Sequence, residues 1–267
     1  MPSPIDLLLD PVTLIILAMY GGLMLWEFLF PGRVLPTVRF WKIRGIISFA
    51  IFFLISSYLP MFIAPYIEPY RLFDFSNLSP LVGGIFGIVI YDLGMYFWHW
   101  SLHKSNFLWK TFHQLHHSAE RLDTFGAFYF SPFDMVGWTL LSTLCFSFIA
   151  GFSPQAITVL LLISNFQSIF QHANIRTPRW LGYIIQRPES HTLHHARGIH
   201  KYNYSDLPLF DIIFGTFYNP RDFEFETGFY NGASDRVVDM LLAKDVSEPE
   251  NVVVVVAEKT PENNFIG

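Results

Sequence analysis

Charge is scarce in this sequence: 15% of its 267 residues are Asp, Glu, Lys or Arg, against 52% hydrophobic and 18% aromatic. Soluble domains carry about 25% charged residues, so the composition argues against an ordinary water-soluble fold and predicts an integral membrane protein. Cysteine occurs once, at Cys145, which excludes an internal disulfide, a C-x2-C zinc ribbon and a cysteine-held iron–sulfur cluster. No G-x-G-x-x-G loop is present to cradle a nicotinamide or flavin, and no H-E-x-x-H helix of the metallohydrolase kind occurs. The net charge is −5 and no basic block stands out, so nothing in the sequence points to nucleic acid as a partner.

Histidine is what the chain has instead. All ten histidines fall between His99 and His200, and most are clustered: His99 with His103, His113 with His116 and His117, and His191 with His194 and His195, with His172 alone. Residues three or four apart share a helix face, so each cluster is expected to present its imidazoles together. Neutral imidazole suits iron, zinc, copper or nickel. A tetrahedral zinc needs about four ligands, whereas nine histidines fit two ions that keep positions open. The count favours a dinuclear site.

Taken in order, the chain reads as an all-α, polytopic membrane bundle of about four or five spans or hairpins. Residues 1–80 supply N-terminal membrane helices and loops, 81–220 the histidine-bearing part, and 221–267 a polar C-terminal tail, whose end, Ser247 to Gly267, reads as poorly ordered or as one added strand around Val252 to Val256. Met1 to Asp10 lack Lys and Arg and so do not read as the basic start of a cleaved signal. The expected spans are Val12 to Phe30, Gly45 to Ala64 and Leu81 to about Trp100, followed by a hairpin from Phe133 to Phe170 that turns at Gly151-Phe152-Ser153. Arg33, Arg39, Lys42 and Arg44 place the first connector, and with it the histidine cap, on the cytoplasmic side. Gly83-x3-Gly87 marks a face where another helix can approach. Asp92 lies within a span, seven residues before His99, as either a partner that orients a ligand imidazole or a helix-packing group. Trp98, Trp100 and Trp109 read as packing and interfacial anchors.

With H-x3-H, H-x2-H-H and H-x2-H-H in this order and a hydrophobic hairpin before the third, the sequence resembles the fatty acid hydroxylase/sterol desaturase superfamily of integral-membrane di-iron oxygenases. Tyr91-Asp92, Trp109, His116-His117-Ser118, Asn203-Tyr204 and the run Asp211 to Thr216 agree with it, over roughly Gly84 to Tyr218. The resemblance implies two iron ions, O2 as co-substrate and attack on an unactivated C–H bond of a lipid such as a fatty acid or sterol. It assigns as catalytic metal ligands His99, His103, His113, His116, His117, His172, His191, His194 and His195. Asp92, Glu189, His200 and Asp211 are candidates to support them. Many relatives carry Arg-x-His-Pro soon after the second cluster, where this chain has Phe128-Tyr129-Phe130-Ser131-Pro132.

Hydroxylation is the expected reaction, and desaturation at the same site the alternative. A membrane metallohydrolase with Glu189 as base, or a metal transporter, is the reading from another class. A transporter would string its ligands along several spans, whereas these gather at one membrane face. Electrons must come from outside, since no His-Pro-Gly-Gly segment resembling a fused cytochrome b5 is present. The expected donor is a cytochrome b5-like protein, a ferredoxin or a reductase. The lack of a lysine pair or Lys-Asp-Glu-Leu near Gly267 favours a bacterial inner membrane over the endoplasmic reticulum.

Overall fold

The computed structural model describes residues 1–249. Their helices are α1 Pro4–Leu8, α2 Pro11–Leu29, α3 Trp41–Ile67, α4 Pro80–Lys104, α5 Asn106–Leu108, α6 Gln114–His117, α7 Pro132–Thr143, α8 Pro154–His172, α9 Pro188–His194, α10 Pro208–Phe214 and α11 Val237–Leu241. Three of the long ones begin alike, because an Asp or Ser accepts from the first-turn amides while the proline after it needs no hydrogen bond there. Asp10 caps α2, Ser131 caps α7 and Ser153 caps α8.

Four stretches are long and apolar enough to cross a membrane: Pro11–Leu29, Trp41–Tyr70, Pro80–Lys104 and Pro132–Ile149. The first two are only 11% and 6% buried within the protein. Their outward faces, including Leu14, Ile15, Ile47 and Phe62, are apolar and suit lipid rather than water. The chain is an integral membrane protein. The second span runs on past Ala64, through Pro65, as helix to Ile67.

Helix α8 packs on α4 through the glycine face expected from Gly83 and Gly87. A Cβ on Gly84 would come within 2.5 Å of Val159 Cγ1, and one on Gly83 within 2.9 Å of the Ala156 Cβ. Val159 is β-branched and stiff, so it cannot swing clear. Gly84→Leu is therefore expected to separate α4 from α8, at a cost of roughly 3 kcal/mol or more, and to lower the yield of folded protein in detergent. Wild-type yield and melting temperature in this variant would contradict the packing.

The α7–α8 hairpin runs the length of the bundle. Its turn, Ala150–Gly151, pairs in parallel with Phe73–Asp74 from the loop before α4. The hairpin thus reaches the end of the bundle opposite the histidines, which α4 and α8 carry at their C-terminal ends.

Residues 221–249, polar in composition, fold back onto the rest of the protein. Glu120 accepts from the Gly232 amide and from Ser234, and Trp109 Nε1 donates to Ser247 Oγ at 3.1 Å. Val246 is fully buried. The segment covers the cap because it satisfies buried polar groups of the second histidine region. The run Val252 to Val256 lies outside the described residues. The basic connector is likewise engaged: Arg33 donates to Phe225 O and Thr192 Oγ1, and Arg44 to Ser234 O.

Candidate metal centre

All nine histidines singled out from the sequence converge, in two groups. His99, His103, His113, His117 and His194 form one, and His116, His172, His191 and His195 the other; within each, one ring nitrogen per residue lies within 4.8 Å of the rest. The clusters do not each face one way. His116 and His117 enter different groups, as do His194 and His195, because neighbouring residues on a helix point about 100° apart. Each H-x2-H-H cluster therefore serves both groups. Just before the second cluster, Trp109–His113 is a π-helical turn, a local widening that recurs at functional sites and here delivers His113 beside His99.

Hydrogen bonds at the outer nitrogens decide what the inner nitrogens offer. His99 Nδ1 donates to Tyr204 O at 2.8 Å, His172 Nδ1 to Ser168 O at 2.7 Å, His194 Nδ1 to Tyr202 O at 2.7 Å and His116 Nδ1 to Tyr129 O at 3.3 Å. A carbonyl only accepts, so Nδ1 carries the proton and Nε2 of the neutral ring is a bare lone pair. His113 Nδ1 stands 2.7 Å from Asp134 Oδ2, within hydrogen-bond reach of that carboxyl group.

The inner nitrogens face one another. His99 and His113 approach at 3.0 Å through Nε2, and His116 and His172 at 3.2 Å. Nε2 of His103, His117 and His194 is buried without any partner. Lone pairs so placed repel unless a cation lies among them. Nitrogens held about 2.1 Å from one ion at adjacent positions are about 3 Å apart, so the donor set fits a metal. Burial and the neighbouring rings push His113, His116, His117, His191, His194 and His195 well below the ordinary histidine range, which keeps these rings neutral.

Of the proposed supporting residues, only His200 touches a cluster ring, with Nδ1 3.1 Å from His117 Nδ1. Its own value is lowered to about 4 by burial. The other three act on backbone. Asp92 Oδ1 accepts from the amides of Asp206 and Leu207, and Asp211 from those of Tyr204 and Ser205. Both shape the loop whose Tyr204 carbonyl aligns His99, but neither reaches an imidazole. Glu189 is paired with Arg187 at 3.1 Å and accepts from Thr177, so it is a structural anion and not a base. Trp109 packs, as read from the sequence, with its ring on His103 and His117.

The carboxylate that does meet a cluster ring, Asp134, is missing from that set. It is the only acidic residue between Asp123 and Glu189, and it opens an apolar hairpin. The reasoning applied to Asp92 would have found it. Asp134→Asn is expected to release the His113 ring and weaken metal binding by about 10–100-fold. Metal retained per purified chain, compared with wild type after dialysis against a weak chelator, checks this.

One cavity adjoins the histidines and a second, larger one adjoins the first. The inner one, about 70 Å³, is walled by His99, His113, His116, His172 and His191. The outer, about 550 Å³, lies among α2, α3, α7 and α8. Both share Phe52, Tyr91, Phe128, Trp138 and Ser168, so the space between the membrane helices leads to the cluster.

The fold and the histidine groups define a membrane protein with a buried centre capable of binding metal. The pattern that defines the fatty acid hydroxylase family matches residues 84–216, and the chain belongs to that family. It is 28% identical over 141 residues to the ornithine lipid hydroxylase OlsE of Rhizobium tropici, covering 51% of this chain and 42% of that one. It is 28% identical over 176 residues to cholesterol 25-hydroxylase-like protein 1, member 2, of Danio rerio, covering 55% and 56%. It is 26% identical over 160 residues to the very-long-chain aldehyde decarbonylase GL1-5 of Oryza sativa subsp. indica, covering 55% and 25%. The matches thus span between a quarter and just over half of these relatives' lengths. No solved structure matches the chain at comparable stringency.

Proposed function

We propose that the nine clustered histidines hold two iron ions and that the protein hydroxylates a membrane lipid with O2. One observation carries the metal centre: the Nε2 atoms of His116 and His172, whose Nδ1 atoms both donate to backbone carbonyls, approach to 3.2 Å. Imidazoles survive an oxidant that would destroy thiolates, and the only cysteine, Cys145, is buried and outside both groups. Iron supplies O2 activation when bound. The chain's own residues hold the rings in one tautomer through Tyr204, Ser168, Tyr202 and Tyr129. Phe52, Phe128 and Trp138 line the approach and keep the reacting carbon away from water.

The reaction balances as RH + O2 + 2 electrons + 2 protons giving ROH + H2O. Its electrons come from a separate one-electron carrier. The Lys and Arg excess in the first connector favours a cytoplasmic cap, within reach of such a carrier.

The test is a lipid mass comparison between membranes carrying wild type and His117→Ala, under 18O2 with an electron donor. A lipid gaining one 18O only in the wild type supports hydroxylation. A lipid losing two hydrogens makes the enzyme a desaturase, and a hydrolysed lipid without 18O overturns the oxygenase reading.

A further inference from the structure

The outer cavity has an unusual wall for one that lies between membrane-spanning helices. Every hydroxyl side chain of Met135 to Ile149, namely Thr139, Ser142, Thr143 and Ser147, lines it. These positions recur every three or four residues, one face of α7 and its π-helical continuation Leu144–Ile149. Helix α8 adds Ser164, Asn165 and Ser168, and α3 adds Ser56 and Ser57. Polar groups of three different helices, scarce elsewhere on the spans, thus converge on one space. Scattered hydroxyls that merely bond back to their own helix would not collect on one wall.

Their hydrogen bonds show what they leave open. Thr139 donates to Met135 O, and Ser142 and Thr143 to Thr139 O. Asn165 Nδ2 donates to Leu161 O. With the hydroxyl donors of Thr139, Ser142 and Thr143 spent, their oxygens offer lone pairs, as does the Asn165 amide oxygen. No hydrogen bond is formed by the Ser57, Ser147 or Ser168 hydroxyls within the described residues, although all three line the cavity. A hydrocarbon occupant would leave these groups unsatisfied in a region without water, at a cost for each.

From this wall we infer that the substrate is a lipid with hydrogen-bond donors, an amide N–H or a hydroxyl, in the part that lies inside the membrane. A plain acyl chain does not meet this requirement, and an ester, which can accept from the free Ser57, Ser147 and Ser168 hydroxyls, leaves the lone pairs of Thr139, Ser142 and Thr143 without a donor. Ser57, Ser147 and their neighbours determine specificity. Ser168 precedes His172 by one helical turn and Ser164 by two, so the donor group sits about 6–12 Å along the helix axis from the metal centre. The inference rests on the proposed lipid chemistry of the site, but its test does not require bound metal.

The test uses metal-free wild type and Ser57→Ala/Ser147→Ala in detergent, with N-palmitoylethanolamine competing against ethyl palmitate. The first probe carries an amide N–H and a hydroxyl; the second has the same chain and no donor. Native mass spectrometry is expected to show wild type retaining the amide about tenfold or more over the ester, and the double variant losing most of that preference. Ester binding by the variant at the wild-type level shows that the cavity is intact. Equal binding of both probes by wild type, or an unchanged preference in the variant, would overturn the inference. Failure of iron to load in a separate experiment would instead count against the proposed function alone.

Discussion

A His194→Ala variant is expected to insert normally, lose at least half of its bound metal and fall by about 100-fold or more in lipid oxygenation. His194 is the ring in its group with the most complete preparation: Nδ1 donates to Tyr202 O at 2.7 Å, while Nε2 is buried with no partner. Removing it leaves four rings, of which His103 and His117 also have unpartnered Nε2 atoms. His191→Ala should do the same damage from the other group, because His191 Nε2 lies 3.0 Å from His172 Nε2 and 3.1 Å from His195 Nε2. His200→Ala is the informative contrast, since His200 contacts the centre through His117 alone. It should keep both metals and most of the activity. Metal analysis of the three purified variants beside product formation checks the set. A His194→Ala protein with full metal and full turnover would remove that residue from the centre.

Stripped of metal, the protein is expected to lose stability steeply as pH falls below about 6.5. Burial depresses His113, His116, His117, His191, His194 and His195 in the folded state. The unfolded chain takes up protons near 6.5 and the folded one refuses them, so below that value the unfolded state binds more protons. Stability is therefore complete above this value and is lost as pH decreases. Each such histidine contributes up to about 1.4 kcal/mol per pH unit, and the six together suggest a melting temperature lower by about 10 °C or more at pH 5.5 than at pH 7.5. Thermal unfolding in lipid nanodiscs measures it. Metal-loaded protein should resist until the ions are displaced by protons, since ligands must be deprotonated to bind. Identical melting of the stripped protein at both values would contradict the buried neutral rings.

Much of the frame was legible because it rests on length and spacing. Apolar stretches near 20 residues specify spans whatever their detailed packing, and the Gly83, Gly84 and Gly87 face does meet another helix, α8. The convergence of eight histidines followed from their clustering, and that of the lone His172 from the family resemblance. Their division did not, because spacing three or four residues apart describes a shared face, whereas the pairs His116-His117 and His194-His195 work by facing apart. The carbonyls that set the tautomers were beyond sequence reasoning, since every residue has one and only the fold selects Tyr129, Ser168, Tyr202 and Tyr204. Asp92 and Asp211 take the structural one of the two readings open to them, for a related reason. A buried carboxylate marks a demand for donors, and in both cases loop amides meet it before any imidazole does. Asp134 could have been found as the lone acid of its hairpin.

The measurement that tests the central claim most directly is the metal content of protein purified anaerobically from iron-supplied cells, with Mössbauer spectra of a 57Fe-loaded sample. Two groups of facing nitrogens predict about two irons per chain, in histidine-rich sites that both disappear in a His116→Ala/His117→Ala variant. A chain that holds a single ion, or that binds none when folded and inserted, would contradict the dinuclear centre.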